Sequence, residues 1–137
     1  MWVLVAVGIA LAAIAGGVIV GLSAADARRE SRAAVIGEWR AEGLVGADGT
    51  APRLVFRDDG FVGGYDGCRQ LGSSIGQDAW SVDGATVTWD GIISTMIACA
   101  GPHDELELLG THGELDGGEL AVVDAEGREV ARLLRAS

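Results

Sequence analysis

Lysine and asparagine are absent from this 137-residue sequence, and cysteine and proline occur only twice each. Without asparagine the chain has no N-glycosylation sequon, because that sequon begins with asparagine. The ten basic residues are all arginine, and 20 acidic residues outnumber them to leave a formal net charge of −10. Because a nucleic-acid-binding protein needs a basic face against phosphate, this charge disfavours nucleic acid as a partner.

Signals typical of enzymes and cofactor-binding proteins are also scarce. The sequence has no glycine-rich phosphate-binding loop and no cysteine–histidine pair with an obvious group to orient it. The 22 glycines fit turns and bulges better than a ligand cradle. We therefore predict a non-enzymatic protein that binds no cofactor.

The most distinctive feature that is present is an apolar run from Trp2 to Leu22, which contains no charged residue. A helix of that length would measure roughly 31 Å, close to the thickness of a bilayer core. The run exceeds the about 7–15 apolar residues of a signal peptide, and no basic residue precedes it. We expect residues 1–22 to be an uncleaved single-pass anchor in the cell membrane. The alternative is an export signal cleaved near Ala27, which would release a secreted domain.

The arginines that follow the run and the two cysteines disagree about the side of the membrane on which the domain lies. Arg28, Arg29 and Arg32 flank the run, and the positive-inside rule would keep them in the cytoplasm. A cysteine pair in a small domain favours the opposite, oxidising side. We expect an extracytoplasmic domain, and the membrane topology is the point on which the two indications conflict.

The rest of the sequence predicts a polar linker at residues 23–34 and one small domain at residues 35–137. The domain shows mostly the period-two alternation of strands. Leu54 and Phe56 alternate with polar neighbours before the turn Asp58-Asp59-Gly60, and residues 61–65 continue as the partner strand.

Two more hairpins and a last strand follow. Residues 80–89 form the clearest hairpin, where Asp83-Gly84 predicts a type I′ turn with positive φ at both central residues. Residues 115–123 predict another hairpin, with its turn around Gly117-Gly118. Residues 129–134 predict the last strand.

One helix is predicted between the strands. Pro102 suits the first helical position, and Asp104 and Glu105 suit a first turn, where the helix dipole favours anions. Leu106 and Leu109 are three residues apart and could face a core, and Gly110 could end the helix. The predicted fold is therefore α+β, a small antiparallel sheet of hairpins with one packed helix, preceded by an N-terminal transmembrane helix.

Cys68 and Cys99 predict a disulfide, because an even pair in a small extracytoplasmic domain is most simply bonded. Two buried thiols are the alternative. A zinc site would have to recruit His103 and His112 together with both cysteines. Cys68 stands alone where zinc sites usually have a short cysteine pair, so we expect no metal and two exposed histidines.

The acidic residues near the predicted helix also lack a motif. Asp104, Glu105 and Glu107 could serve acid–base chemistry or calcium binding, but no Asp-x-Asp-x-Asp-Gly loop accompanies them. We expect them to be the solvated start of the helix.

Two cysteine-containing motifs resemble the META domain family of HslJ-like proteins. They are Gly67-Cys68-Arg69, followed by Gly72, and the segment Ser94-Thr95-Met96-Ile97-Ala98-Cys99. Gly37-Glu38-Trp39 matches the family's opening Gly-x-Trp strand, and Glu105 fits the glutamate of its helix. The resemblance covers roughly residues 35–134. Arg69 departs from the family's asparagine, and Ile97 from its methionine.

The resemblance implies an extracytoplasmic or envelope-associated α+β domain with no established catalytic activity, in a family of which some members are linked to stress responses or secretion. We therefore expect a binding or stabilising module for an unknown protein or apolar ligand. Such a module should have a pocket lined by apolar side chains: Trp39, Phe56, Trp80 or Trp89. The alternative is an assembly or secretion-accessory protein docked on a membrane complex, which should expose an apolar patch of several hundred Å².

Overall fold

The computed structural model describes residues 25–74 and 78–136, and its main feature is a ten-stranded antiparallel sheet. The spatial order is β5-β6-β8-β9-β10-β1-β2-β3-β4-β7. The strands are β1 (Gly37–Arg40), β2 (Arg53–Phe56), β3 (Val62–Tyr65), β4 (Gln70–Gly72), β5 (Trp80–Asp83), β6 (Thr86–Trp89), β7 (Ile93–Ser94), β8 (His112–Asp116), β9 (Glu119–Val123) and β10 (Glu129–Arg135).

The sheet curls into a half-barrel, which brings its edge strand β5 against the β2–β3 hairpin. The Ala79 N–H donates to the Gly60 carbonyl at 2.9 Å, and the Trp80 indole N–H donates to the Arg57 carbonyl at 2.8 Å. The concave face holds the core, in which the Phe56 ring lies 5.4 Å from that of Trp80 and 5.8 Å from that of Trp89. Aromatic rings at these separations add to the stabilisation from burial alone.

Residues 25–35 form a helix, α1, where the sequence predicts a polar linker. Its last residue, Val35, is fully buried, and the Val35 carbonyl accepts the Trp39 indole N–H at 2.9 Å. Arg32 donates to the Asp58 carbonyl at 3.0 Å, and its guanidinium lies 4.3 Å from the Trp80 ring centroid. These contacts hold the helix against the core.

The proposed transmembrane anchor at residues 1–22 lies outside the described residues. Within residues 25–74 and 78–136, no helix combines the length and apolar character that a membrane crossing requires.

Three predicted hairpins are confirmed, and in the first of them the pattern of burial explains the register. In β2, Leu54 and Phe56 are buried, while Arg53 and Val55 are only partly so. A one-residue slip would move both side chains out of the core. The final strand, β10, is also confirmed.

The β5–β6 turn differs from the prediction by one residue. Asp83 pairs with Thr86, so Gly84 and Ala85 are the central residues of the turn. Gly84 has φ +61°, whereas no residue other than glycine has a positive φ in the described part of the chain. A turn with glycine at positive φ only in its first central position is of type II′, not type I′.

The helix predicted around Pro102 to Gly110 is not formed. Leu106 and Leu108 are both buried and their neighbours are exposed, so the segment follows the period-two pattern of extended chain. The Leu106 N–H donates to the Asp66 carbonyl at 2.7 Å, and the Leu108 carbonyl accepts the Trp89 indole N–H at 3.2 Å. These long-range contacts replace the local hydrogen bonds of a helix. The α+β class stands, with its helix at residues 25–35.

Candidate functional site

The two ends of the half-barrel are distinct. At the helix end, α1 leads into β1, and Gly37 pairs with Phe56. At the opposite end, which we call the disulfide end, lie the loop at residues 41–52, the turn at residues 66–69 and the loop at residues 95–105. Because β3 runs away from the helix and β4 runs back toward it, the turn between them is held far from α1.

The turn at the disulfide end is organised by Asp66, which is 1% exposed. One carboxylate oxygen accepts the backbone N–H groups of Cys68 at 2.9 Å and Arg69 at 2.6 Å. The other oxygen accepts the Arg69 side-chain Nε–H at 3.0 Å. Charge-assisted hydrogen bonds of this kind satisfy a buried carboxylate. Asp66 therefore fixes the backbone of the first cysteine motif.

Gly67 allows the segment at residues 104–105 to lie directly on this turn. Its φ is +111°, and a Cβ atom at this position would stand 2.0 Å from the Asp104 carbonyl oxygen. The Gly67 carbonyl accepts the Ala47 N–H at 2.6 Å and the Tyr65 hydroxyl at 3.0 Å. The turn is therefore packed between two other loops.

The loop at residues 41–52 is joined to the same end by further hydrogen bonds. Asp104 accepts the Val45 N–H through its carboxylate at 2.8 Å and donates its own N–H to the Val45 carbonyl at 2.8 Å. The Asp48 carboxylate accepts the Thr50 hydroxyl and N–H, and these hydrogen bonds lower the pKa of Asp48 below its ordinary value. The loop therefore stabilises the ionised form of Asp48, and this stabilisation is lost when the carboxylate is protonated at acid pH.

A disulfide joins Cys68 and Cys99, which confirms the predicted pairing. Bonds of this kind form and persist in extracellular and periplasmic proteins. The disulfide holds the loop at residues 95–99 beside the turn, and the Thr95 N–H donates to the Gln70 carbonyl at 3.1 Å. Ile93 and Ser94 pair with β4 on the other side of this loop.

The segment held in this way presents apolar side chains to solvent. Ile93 is 73% exposed, Met96 is 99% exposed and Ile97 is 56% exposed. A groove of about 340 Å³ runs beside them, lined by residues of β4 and β7 that include Leu71 and Ile93. We call residues 93–97 the apolar loop. Clustered exposed apolar residues of this kind mark interaction sites more often than scattered ones do.

Charged side chains also lie at the disulfide end. Arg69 lies 3.7 Å from Glu105, and the other carboxylate oxygen of Glu105 lies 3.4 Å from the His103 Nε2 atom. Glu107 and Asp104 are exposed on the same segment. The acidic residues are thus solvated as expected, but on an extended chain and not at the start of a helix.

The two histidines are in different environments. The His103 side chain is only 12% exposed, and a His103 ring nitrogen lies within 4.8 Å of both disulfide sulfur atoms. His112 is on β8, where its Nε2 atom lies 3.5 Å from Glu114. The expectation that His103 would be freely exposed was therefore wrong, because the loop folds its ring against the disulfide.

The four aromatic residues predicted to face a ligand lie in the core. Trp39, Phe56, Trp80 and Trp89 are between 1% and 7% exposed. Phe56 borders an open groove of about 770 Å³ at the helix end, together with Ile36, Val55 and Asp58. Trp80 and Trp89 border a depression of about 120 Å³.

The sequence reasoning missed Asp66 and the G-x-S-x-G pattern that begins at Gly72. In the sequence, an aspartate directly before Gly67-Cys68 is a recognisable signal of an Asx turn. The serine of the G-x-S-x-G pattern is Ser74, which is exposed, while the preceding Ser73 is buried and its hydroxyl accepts the Val62 N–H at 2.9 Å. A nucleophile elbow needs a strand-to-helix turn, whereas the described residues that follow, from Asp78 onward, are extended and lead into β5.

Comparison of the chain with protein families, with curated proteins and with solved structures gives no match.

Proposed function

We propose that this chain is a membrane-anchored, extracytoplasmic, META-like domain that acts without catalysis, by docking on a protein through its apolar loop. The anchor would be residues 2–22, with release by cleavage near Ala27 as the alternative. The observation that carries the proposal is the exposure of Ile93, Met96 and Ile97 on a segment that is fixed on both sides.

The fixed geometry favours binding. A flexible loop loses conformational entropy when it is ordered in a complex, whereas a pre-organised loop avoids most of that cost. Here the disulfide restrains one side of the apolar loop and the β4–β7 pairing restrains the other. Met96 is held almost fully in solvent between them. An unbranched, polarizable methionine can adapt to the surface of a partner.

The partner proposed is a protein and not the lipid surface. An anchor that leads into α1 would place the helix end of the domain nearest the membrane, which leaves the disulfide end facing away. The exposed acids Asp104, Glu105 and Glu107 also lie on the segment that follows Cys99, the residue that ends the disulfide-held loop. Anionic lipid headgroups would repel these carboxylates, whereas a protein with an apolar pocket and a basic rim would complement them.

Of the two functions expected from the sequence, docking on a protein complex receives more support than capture of an apolar ligand. The aromatic side chains that would line a ligand pocket are packed against each other in the core. The apolar loop supplies the exposed surface that an assembly or secretion-accessory protein would use.

We expect a photoreactive amino acid at position 96 to cross-link to one discrete protein in cells, because that position is exposed at the centre of the apolar loop. Ile97→Asp should lower the yield about tenfold or more, since a charge would replace an apolar side chain buried in the complex. The measurement is the yield of the adduct relative to the uncross-linked chain.

Val130 provides the matched control, because it is an exposed apolar residue on β10, at 39% exposure, with four strands between it and β7. Val130→Asp should leave the yield unchanged. Equal yields from reactive groups at positions 96 and 130 would contradict a specific surface. Adducts of twice the chain mass would show that the apolar loop binds a second copy of this chain and not another protein. Adducts with lipid would show that it binds the membrane.

The extracytoplasmic location is tested by the thiol state of the two cysteines in cells. We expect Cys68 and Cys99 to react with a maleimide only after reduction, because the disulfide occupies both sulfur atoms. The gel shift before and after reduction measures this. Labelling of both cysteines without reduction would instead place the domain in the cytoplasm, as the flanking arginines indicate.

A further inference from the structure

The disulfide end brings together three side chains that are separated in the sequence. The sulfur atoms of Cys68 and Cys99 and a ring nitrogen of His103 all lie within 4.8 Å of one another. Thiolates and imidazole are the ligands that zinc prefers in proteins. The bonded sulfur atoms cannot act as thiolate ligands, so the redox state of this pair decides whether the group can bind a metal.

The surroundings of His103 favour a ligand role for its ring. The Nδ1 atom lies 3.0 Å from the Gly101 carbonyl oxygen, which can only accept a hydrogen bond. When the neutral imidazole carries its proton on Nδ1, the Nε2 atom has a free lone pair that can bind a metal ion. A backbone carbonyl that orients a histidine in this way is the usual second partner of a metal-bound histidine.

Glu105 lies outside this group of three but places a carboxylate oxygen beside the same histidine. Its carboxylate oxygen lies 3.4 Å from the His103 Nε2 atom. Two ligand atoms at about 2.0 Å from a tetrahedral zinc ion are about 3.3 Å apart. The two atoms therefore already have nearly the separation that a shared zinc ion requires.

We propose that reduction of the disulfide converts this group into a zinc site formed by Cys68, Cys99, His103 and Glu105. A dithiol reductant transfers two electrons and two protons, so that the S–S bond breaks and the reductant leaves as its own disulfide. Zn²⁺ then displaces the two thiol protons, which go to water, and binds both thiolates. The zinc site is independent of the proposed docking function, because its ligand atoms include no residue of the apolar loop.

The test is a metal titration of the full chain in detergent, reduced with a phosphine and kept free of oxygen. Co²⁺ serves as the spectroscopic probe, and Zn²⁺ competition gives the affinity. We expect one Co²⁺ per reduced chain, with a thiolate-to-metal charge-transfer band and the intense visible bands of tetrahedral coordination. The oxidised chain should show neither.

His103→Ala should weaken Zn²⁺ binding at least about tenfold, since loss of even an outer-shell partner has effects of 10- to 100-fold. Glu105→Gln should weaken it less. His112→Ala is the matched control and should leave the affinity unchanged, because that residue is on β8, with five strands between it and β4. Equal affinities for the wild type and His103→Ala would overturn the proposal. That result would mean that two cysteines bind metal without the folded site, including the case in which the reduced chain is unfolded.

Discussion

Gly67→Ala is expected to destabilise the domain by about 3–4 kcal/mol. At φ +111° an L-residue is strained, which alone disfavours the folded state by about 1–3 kcal/mol. The added Cβ would also stand 2.0 Å from the Asp104 carbonyl oxygen. Because the Cβ is attached directly to the backbone and the Asp104 oxygen is a backbone atom, neither can rotate away, so the turn and the segment at 104–105 must move apart. The measurement is denaturant unfolding of the full chain, followed by tryptophan fluorescence.

Gly49→Ala separates the effect of backbone strain from the effect of the steric clash with Asp104. Gly49 also has a left-handed φ, at +86°, but nothing lies within 4 Å of the position of a Cβ. Its substitution should therefore cost only the strain of about 1–3 kcal/mol. Similar losses in the two variants would mean that the close approach of Asp104 to the turn does not matter for stability.

Removal of the disulfide has the second large expected effect. The double substitution Cys68→Ala with Cys99→Ala should lower the free energy of unfolding by about 3.7 kcal/mol, because a sequence separation of 31 residues sets the entropy of the closed loop. This is a large share of the total free energy of unfolding for a domain of this size. Denaturant unfolding measures it.

Reduction of the wild-type chain provides the control for this prediction. Reductant should bring the wild type close to the double variant and leave the double variant itself unchanged. If reductant leaves the wild-type stability unchanged, the disulfide does not restrain the unfolded chain, and the entropic account is wrong.

Much of the sheet can be predicted from the sequence because its strands carry a local signal. Leu54 and Phe56 alternate with polar residues, and Asp58-Asp59-Gly60 marks the turn that follows. The segment Glu105 to Leu109 shows why the prediction fails elsewhere. Its leucines at 106, 108 and 109 fit both a helical and an extended period. Only the distant partners Asp66 and Trp89 decide between them.

The candidate site could be predicted only in part, for a related reason. The disulfide follows from cysteine number and compartment, and neither depends on the fold. The position of His103 depends on how residues 100–105 fold back over the disulfide, which a spacing of three residues does not determine. The exposure of Met96 is equally non-local, since neighbouring apolar residues such as Met96 and Ile97 predict burial from sequence alone.

The strand order also determines how the domain would transmit mechanical force. β1 lies between β2 and β10, and the Arg135 guanidinium donates to the carbonyls of Ala34 and Ile36 where α1 meets the sheet. A pull between α1 and a partner on the apolar loop would act along the strands, from one end of the half-barrel to the other. Hydrogen bonds between neighbouring strands then bear the load in shear, many at once. If the domain is pulled in this way, we expect it to stay folded under forces that would unzip a hairpin pulled open from its end.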